Sequence, residues 1–223
     1  MDTLSRRRLA IVGSLTLLSG LAVAMVVARI AYTGSTMYAN LLWNLVLAWV
    51  PFAIALAVYD AARRGARPAI LVSSGVAWLL FFPNAPYLVT DFQLLRDASV
   101  APVWYDVALL SAAAWAGLTL GFTSLYLMQS IARRVVGPIG VWLGVFGVLG
   151  LTSFGIYLGR VERWNSWDIV SRPRPLLGSV ADRLVDPDPR TAGMTAVFTA
   201  FLGLAYCVFY SFARLGLTDR PSS

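Results

Sequence analysis

The sequence predicts an all-α, polytopic membrane helical bundle of about six transmembrane helices, with an interrupted third span and one long outer loop. Three observations carry this. Of 223 residues, 58% are hydrophobic and 13% charged, whereas soluble chains run at roughly 45–50% and about 25%, and the mean hydropathy is +0.70. Six stretches approach the ~20 apolar residues that a helix needs to cross a ~30 Å hydrocarbon core. All eighteen basic residues are arginines, and most stand at the ends of those stretches.

The first span, about 9–31, follows Arg6, Arg7 and Arg8. Ser5-Arg6-Arg7-Arg8-Leu9 resembles a twin-arginine start, and Ala22-Val23-Ala24 would serve as a cleavage site. The apolar run continues to Ile30, however, so an uncleaved helix is expected. The second span covers about 38–59 and the third about 69–90. In the third, Pro83-Asn84-Ala85-Pro86-Tyr87 interrupts the run after Phe82. Fourteen apolar residues rise about 21 Å, too short to cross alone, and two prolines remove two backbone donors. Two outcomes follow from this spacing. Either the chain breaks at membrane depth and lines protein or a wet cavity, or Pro83 ends the helix and Asn84 caps a short interfacial one. The fourth, fifth and sixth spans cover about 103–128, 138–158 and 192–212, and the outer loop is 159–191. Gly117 with Gly121, Gly140 with Gly144, and Gly155 with Gly159 are small pairs that permit close helix contact. With no repeat or low-complexity tract, a single integral membrane domain over 1–223 is expected.

Arginine placement gives an orientation. Ten arginines lie in the two tails and in the second and fourth connections, against Arg96 and six in the long loop. Only basic residues count under the positive-inside rule, so both termini are expected in the cytoplasm, in a bacterial inner (plasma) membrane. The net charge of +7 therefore reads as membrane anchoring and contact with anionic lipid, not nucleic-acid binding.

Absences exclude chemistry. With no histidine there is no histidine base, His-ligated haem or His-containing zinc site. A single cysteine, Cys207, excludes an internal disulfide, a CxxC pair and an iron–sulfur cluster. No GxGxxG or P-loop pattern is present, and no cofactor or metal site is expected.

Under this topology the polar residues near span ends gather on the outer side. Asn40 and Asn44 lie one turn apart in span two, Asn84, Tyr87 and Asp91 follow the interruption, and Tyr105 and Asp106 enter span four. Arg29 and Tyr32 close span one, and Tyr157 and Arg160 close span five. Charged groups beside a span are costly and usually face the bundle interior, so this side reads as a polar pocket. Beyond span five, a continued helix would place Arg160, Arg163, Trp164, Trp167 and Asp168 on one face, and Asn165 of the same stretch is a further candidate. Arginine forks and indole faces suit phosphate, carboxylate or sugar, although tryptophans at a membrane boundary are also ordinary anchors.

Four segments carry a resemblance: Asn44 to Pro51 (NLVLAWVP), Trp78 to Phe92 (WLLFFPNAPYLVTDF), Pro102 to Leu109 (PVWYDVAL) and Phe154 to Asp168 (FGIYLGRVERWNSWD). In combination they resemble the bacterial membrane-protein family catalogued as domain of unknown function 1361. The resemblance implies an integral membrane protein and supplies no activity. The family often has a histidine shortly after the Thr-Asp pair, where this chain has Gln93-Leu94, so no mechanism needing it is expected.

Three readings are open. One is binding or transport of a small or anionic ligand in the outer pocket by Asn40, Asn44, Asn84, Tyr87, Asp91, Tyr105, Asp106 and the Arg160–Asp168 stretch. Another is a membrane enzyme acting on a lipid-linked or phosphorylated substrate, with Asp91, Asp106 or Asp168 as base or Mg²⁺ ligand. The last is a structural or accessory subunit. The expected partners are membrane lipids, an unknown small or lipid-linked ligand and, to supply the missing repeat, a second copy of the chain.

Overall fold

The computed structural model describes residues 3–97, 101–162, 164, 171–185 and 188–215, which are helical apart from short connections. The helices are α1 (Thr3–Thr33), α2 (Ala39–Arg63), α3 (Pro68–Phe81), α4 (Asn84–Tyr87), a 3₁₀ helix (Leu88–Asp97), α5 (Val103–Ala132), α6 (Pro138–Arg160), α7 (Pro173–Val185) and α8 (Pro189–Leu215). Among the described residues, six stretches are long and apolar enough to cross a membrane: α1, α2, the run Pro68–Arg96, α5, α6 and α8. This is the architecture of a multi-pass integral membrane protein. Contacts divide the chain into two units, one of Met1–Ala57 with Val76–Ser124, the other of Val58–Gly75 with Leu125–Ser223.

In the first unit, α1 buries Leu15, Ser19, Ala22, Val26 and Arg29, and Tyr38 just before α2 is buried with Leu41, Leu45, Ala48, Phe52 and Ala55 within it. Both series step alternately by three and four residues, the seam that lets two helices pack side by side. Between them, Gly34 ends α1 with φ 66°, and its amide donates to the Ile30 carbonyl, a left-handed stop that suits glycine. Trp49 Nε1 donates to Ser19 Oγ at 3.1 Å, tying the two helices within their apolar seam. Leu109, Leu110, Ala113, Ala116 and Leu120 of α5 complete this core.

The interruption of the third span is a sequence of helix stops, not an open stretch of chain. α3 ends at Phe81; Asn84 Nδ2 then donates to the Phe81 carbonyl at 2.9 Å, and the Tyr87 amide donates to the Pro83 carbonyl. Asn84 thus caps the end of α3; α4 itself has no side-chain cap, which differs from the expected capping of the following helix. Phe82, Ala85 and Leu88 are buried, and they lie on α5 at its glycines. A Cβ on Gly117 would meet the Ala85 carbonyl oxygen and Leu88 Cδ1, and one on Gly121 would lie 3.3 Å from Ala85 Cβ. The small pair at 117 and 121 therefore seats the proline-rich turn.

In the second unit, α6 buries Val141, Val145, Leu149, Thr152 and Ile156, and α8 buries Leu202, Tyr206 and Tyr210. Trp142 meets Tyr210 edge-on at 5.1 Å, and Phe146 fills the space beside Gly203. Tyr206 donates to Gln129 Oε1 at 2.6 Å, bringing in the end of α5. The region expected as an outer loop contains α7. Its Leu176, Leu177 and Val180 share one face, a short amphipathic pattern that a search for ~20-residue apolar runs passes over. Outward faces in both units are apolar, as at Leu17, Leu143 and Leu204, which is what contact with lipid requires.

Candidate functional site

Two buried charges of the first unit form a pair. Arg29 occupies the inward seam of α1 and is 3% exposed; Asp106, in the first turn of α5, is 0% exposed. Arg29 Nε donates to Asp106 Oδ1 at 2.6 Å and Nη2 to Oδ2 at 3.1 Å, the fork-to-carboxylate geometry that is strongest among such pairs. The amide ends of α5 add positive potential around the carboxylate. The Tyr38 ring lies 4.2 Å from the guanidinium carbon, supplying a further favourable contact to the cation. Nη1 of Arg29, also buried, has no hydrogen-bond partner among the described residues. Beside the pair, Tyr105 donates through its hydroxyl to the Met25 carbonyl at 2.9 Å, so the end of α1 is held to the start of α5 twice.

A second carboxylate lies in the same unit. Asp91, in the first turn of the 3₁₀ helix, is 2% exposed, and Asn44 Nδ2 donates to its Oδ2 at 3.3 Å. α2 and the turn before it connect the two places, since Tyr38 touches Arg29 and Asn44 touches Asp91, and six residues at helical rise span about 9 Å. Thr90 Oγ1 donates to the Tyr87 carbonyl at 2.7 Å, fixing the turn into the 3₁₀ helix. Asn40, one turn before Asn44, is exposed. Of the residues expected to gather, Asn44 and Asp91 meet directly, Asp106 and Tyr105 engage α1, Asn84 is used at the end of α3, and Asn40 joins none of them through a described contact.

The remaining expected residues belong to the second unit. Arg160 is the last residue of α6 and half-buried. Trp164 Nε1 donates to Glu162 Oε2 at 3.2 Å, and Arg183 of α7 donates to Glu162 Oε1 at 2.7 Å, a bond that raises the arginine pKa further. Arg163, Asn165, Trp167 and Asp168 lie outside the described residues. The described ion pair of this region is therefore Glu162 with Arg183, which sequence spacing did not single out because 21 residues separate them. Among the described residues no three His, Cys, Asp or Glu side chains cluster as metal ligands would.

What sequence reasoning underweighted is Arg29, placed at the end of span one but not among the ligand-binding residues. The signal was present, because a single charge inside an apolar run demands a partner. The family model described as "Protein of unknown function (DUF1361)" matches residues 43–205, and all four segments quoted above fall inside that range. No curated protein and no solved structure matches the chain.

Proposed function

The chain belongs to the DUF1361 family, and we propose that it binds or transports a small ligand presenting an oxygen acceptor, at the polar end of its first unit. The observation that carries this reading is Arg29. Two of its nitrogens are taken by Asp106, while Nη1 is buried with no partner among the described residues. An unfilled donor on a buried cation costs about 1–3 kcal/mol or more, and a carboxylate or phosphate oxygen would fill it with a charge-assisted bond. Asn44, Asn84, Tyr87, Asp91 and Tyr105 supply the surrounding polar groups.

A thermal-shift series on the purified protein tests it, with acetate, succinate, inorganic phosphate and glycerol 3-phosphate as probes. At a hundredfold excess over Kd a ligand adds about 2.7 kcal/mol of stability. The expected result is stabilisation of the wild type by at least one probe and none of Arg29→Lys, which keeps the charge but loses the fork. Equal responses of the two proteins would leave Arg29 and Asp106 as a structural pair.

The arginine distribution further supports an inner-membrane protein with both termini in the cytoplasm. In a Cys207→Ser background, single cysteines at Gln93 and Asp168 are expected to react with a membrane-impermeant maleimide from the extracytoplasmic side. Labelling from opposite sides would rule this topology out.

A further inference from the structure

The second unit carries a separate convergence of charge. Arg133 follows α5 directly and Arg214 is in the last turn of α8. Their guanidinium carbons lie 5.0 Å and 5.6 Å from the centroid of one ring, that of Tyr210. Both arginines are exposed, and neither has a carboxylate partner among the described residues. Two cations drawn to one ring repel each other, and an anion between them offsets that repulsion. Below them, Tyr210 Oη and Gln129 Nε2 are buried with no hydrogen-bond partner among the described residues, although Gln129 Oε1 is taken by Tyr206. The place thus combines exposed cations with buried, unfilled polar groups.

An apolar groove lies on the same helix, in the turns before Arg214. Cys207, Val208, Ser211 and Phe212 line this groove on α8, and Cys207, Ser211 and Arg214 fall at i, i+4 and i+7, on one stripe of the helix. A charged head beside a groove that runs about a turn and a half along a membrane-spanning helix matches one kind of molecule. We propose that this is a binding site for an anionic phospholipid, with the phosphate between Arg133 and Arg214 and an acyl chain along Cys207–Phe212. Free phosphate satisfies the arginines but not the groove, so the lipid is the occupant that uses the whole site. The site does not involve Arg29 or Asp106, and its test is independent of theirs.

Native mass spectrometry of the full-length protein in detergent decides it, with phosphatidylglycerol, phosphatidylcholine and inorganic phosphate as probes. Wild type is expected to retain phosphatidylglycerol in preference to phosphatidylcholine. Each arginine near a lipid surface contributes about fivefold, so Arg133→Gln with Arg214→Gln should weaken phosphatidylglycerol about thirtyfold. Arg6→Gln with Arg7→Gln, which removes as much charge elsewhere, should leave it unchanged. Ser211→Trp fills the groove while keeping both arginines in the sequence and should also weaken it, so a failure of the double variant to fold leaves the test intact. Equal retention of the two lipids by wild type would overturn the proposal, as would equal loss in the Arg6/Arg7 control or no effect of Ser211→Trp. Displacement of the lipid by inorganic phosphate at similar concentration would make this a free-phosphate site and overturn the lipid assignment.

Discussion

Asp106→Ala is expected to lower the stability of the purified protein by about 3–5 kcal/mol, the cost of leaving a buried partner charge uncompensated. In a chain of this length that corresponds to roughly 10 °C or more in thermal midpoint. The reason lies in the surroundings of Arg29. Its stretch of α1 is otherwise apolar, it is 3% exposed, and Asp106 accepts both of its described side-chain hydrogen bonds. Without the carboxylate, the guanidinium keeps only the Tyr38 ring, which is worth about 2 kcal/mol when desolvated. Asp106→Asn should do less damage, since an amide oxygen still accepts one of the two bonds.

The complementary experiment separates stability from function. Replacing a buried ion pair by apolar residues of similar volume is often neutral or stabilising. Arg29→Met with Asp106→Leu is therefore expected to recover most of the midpoint that Asp106→Ala loses, while abolishing any ligand stabilisation of the kind proposed above. Should the double variant respond to the same probes as wild type, the pair is a packing device and the binding reading fails.

How much of this was legible in the sequence depends on what each residue had to reveal. Arg29 and Asp106 stand out in apolar runs because a charge there is costly, but they are 77 residues apart, and nothing in either neighbourhood names the other. The interruption at Pro83 was visible from the missing backbone donors alone. That it rests on Gly117 and Gly121 was not, since a glycine pair spaced by four is compatible with any close neighbour. The inward seams were hidden for a different reason. In a soluble helix the buried stripe contrasts with a polar face, whereas here exposed Leu17 and Val27 are as apolar as buried Leu15 and Val26. Hydropathy thus located the spans and could not say which faces pack. α7 escaped because it is amphipathic and short, and Glu162 because its partner Arg183 lies on that unexpected helix.

The second large effect is expected at Gly117. An alanine there would place its Cβ against the Ala85 carbonyl oxygen and 2.7 Å from Leu88 Cδ1. Side chains can turn away from such an intrusion, but a carbonyl within a turn bounded by Pro83 and Pro86 can move only with its backbone. Overpacking costs about 1–3 kcal/mol in ordinary cores, and the rigid neighbour places Gly117→Ala at or above the top of that range. Intrinsic helix preference acts the other way, by about 1 kcal/mol in favour of alanine, and does not reverse the sign. Gly144→Ala supplies the control, because a Cβ there has nothing within 4 Å; it should be neutral or slightly stabilising. Thermal midpoints of the two variants in the same detergent measure the difference directly. The expected loss also reaches Asp91, since Leu88 opens the 3₁₀ helix that carries it, so Gly117→Ala should weaken whatever binds at the polar end of this unit. Equal midpoints for Gly117→Ala and Gly144→Ala would mean that the proline-rich turn does not lie on α5, and the placement of Asp91 beside Asn44 would fall with it.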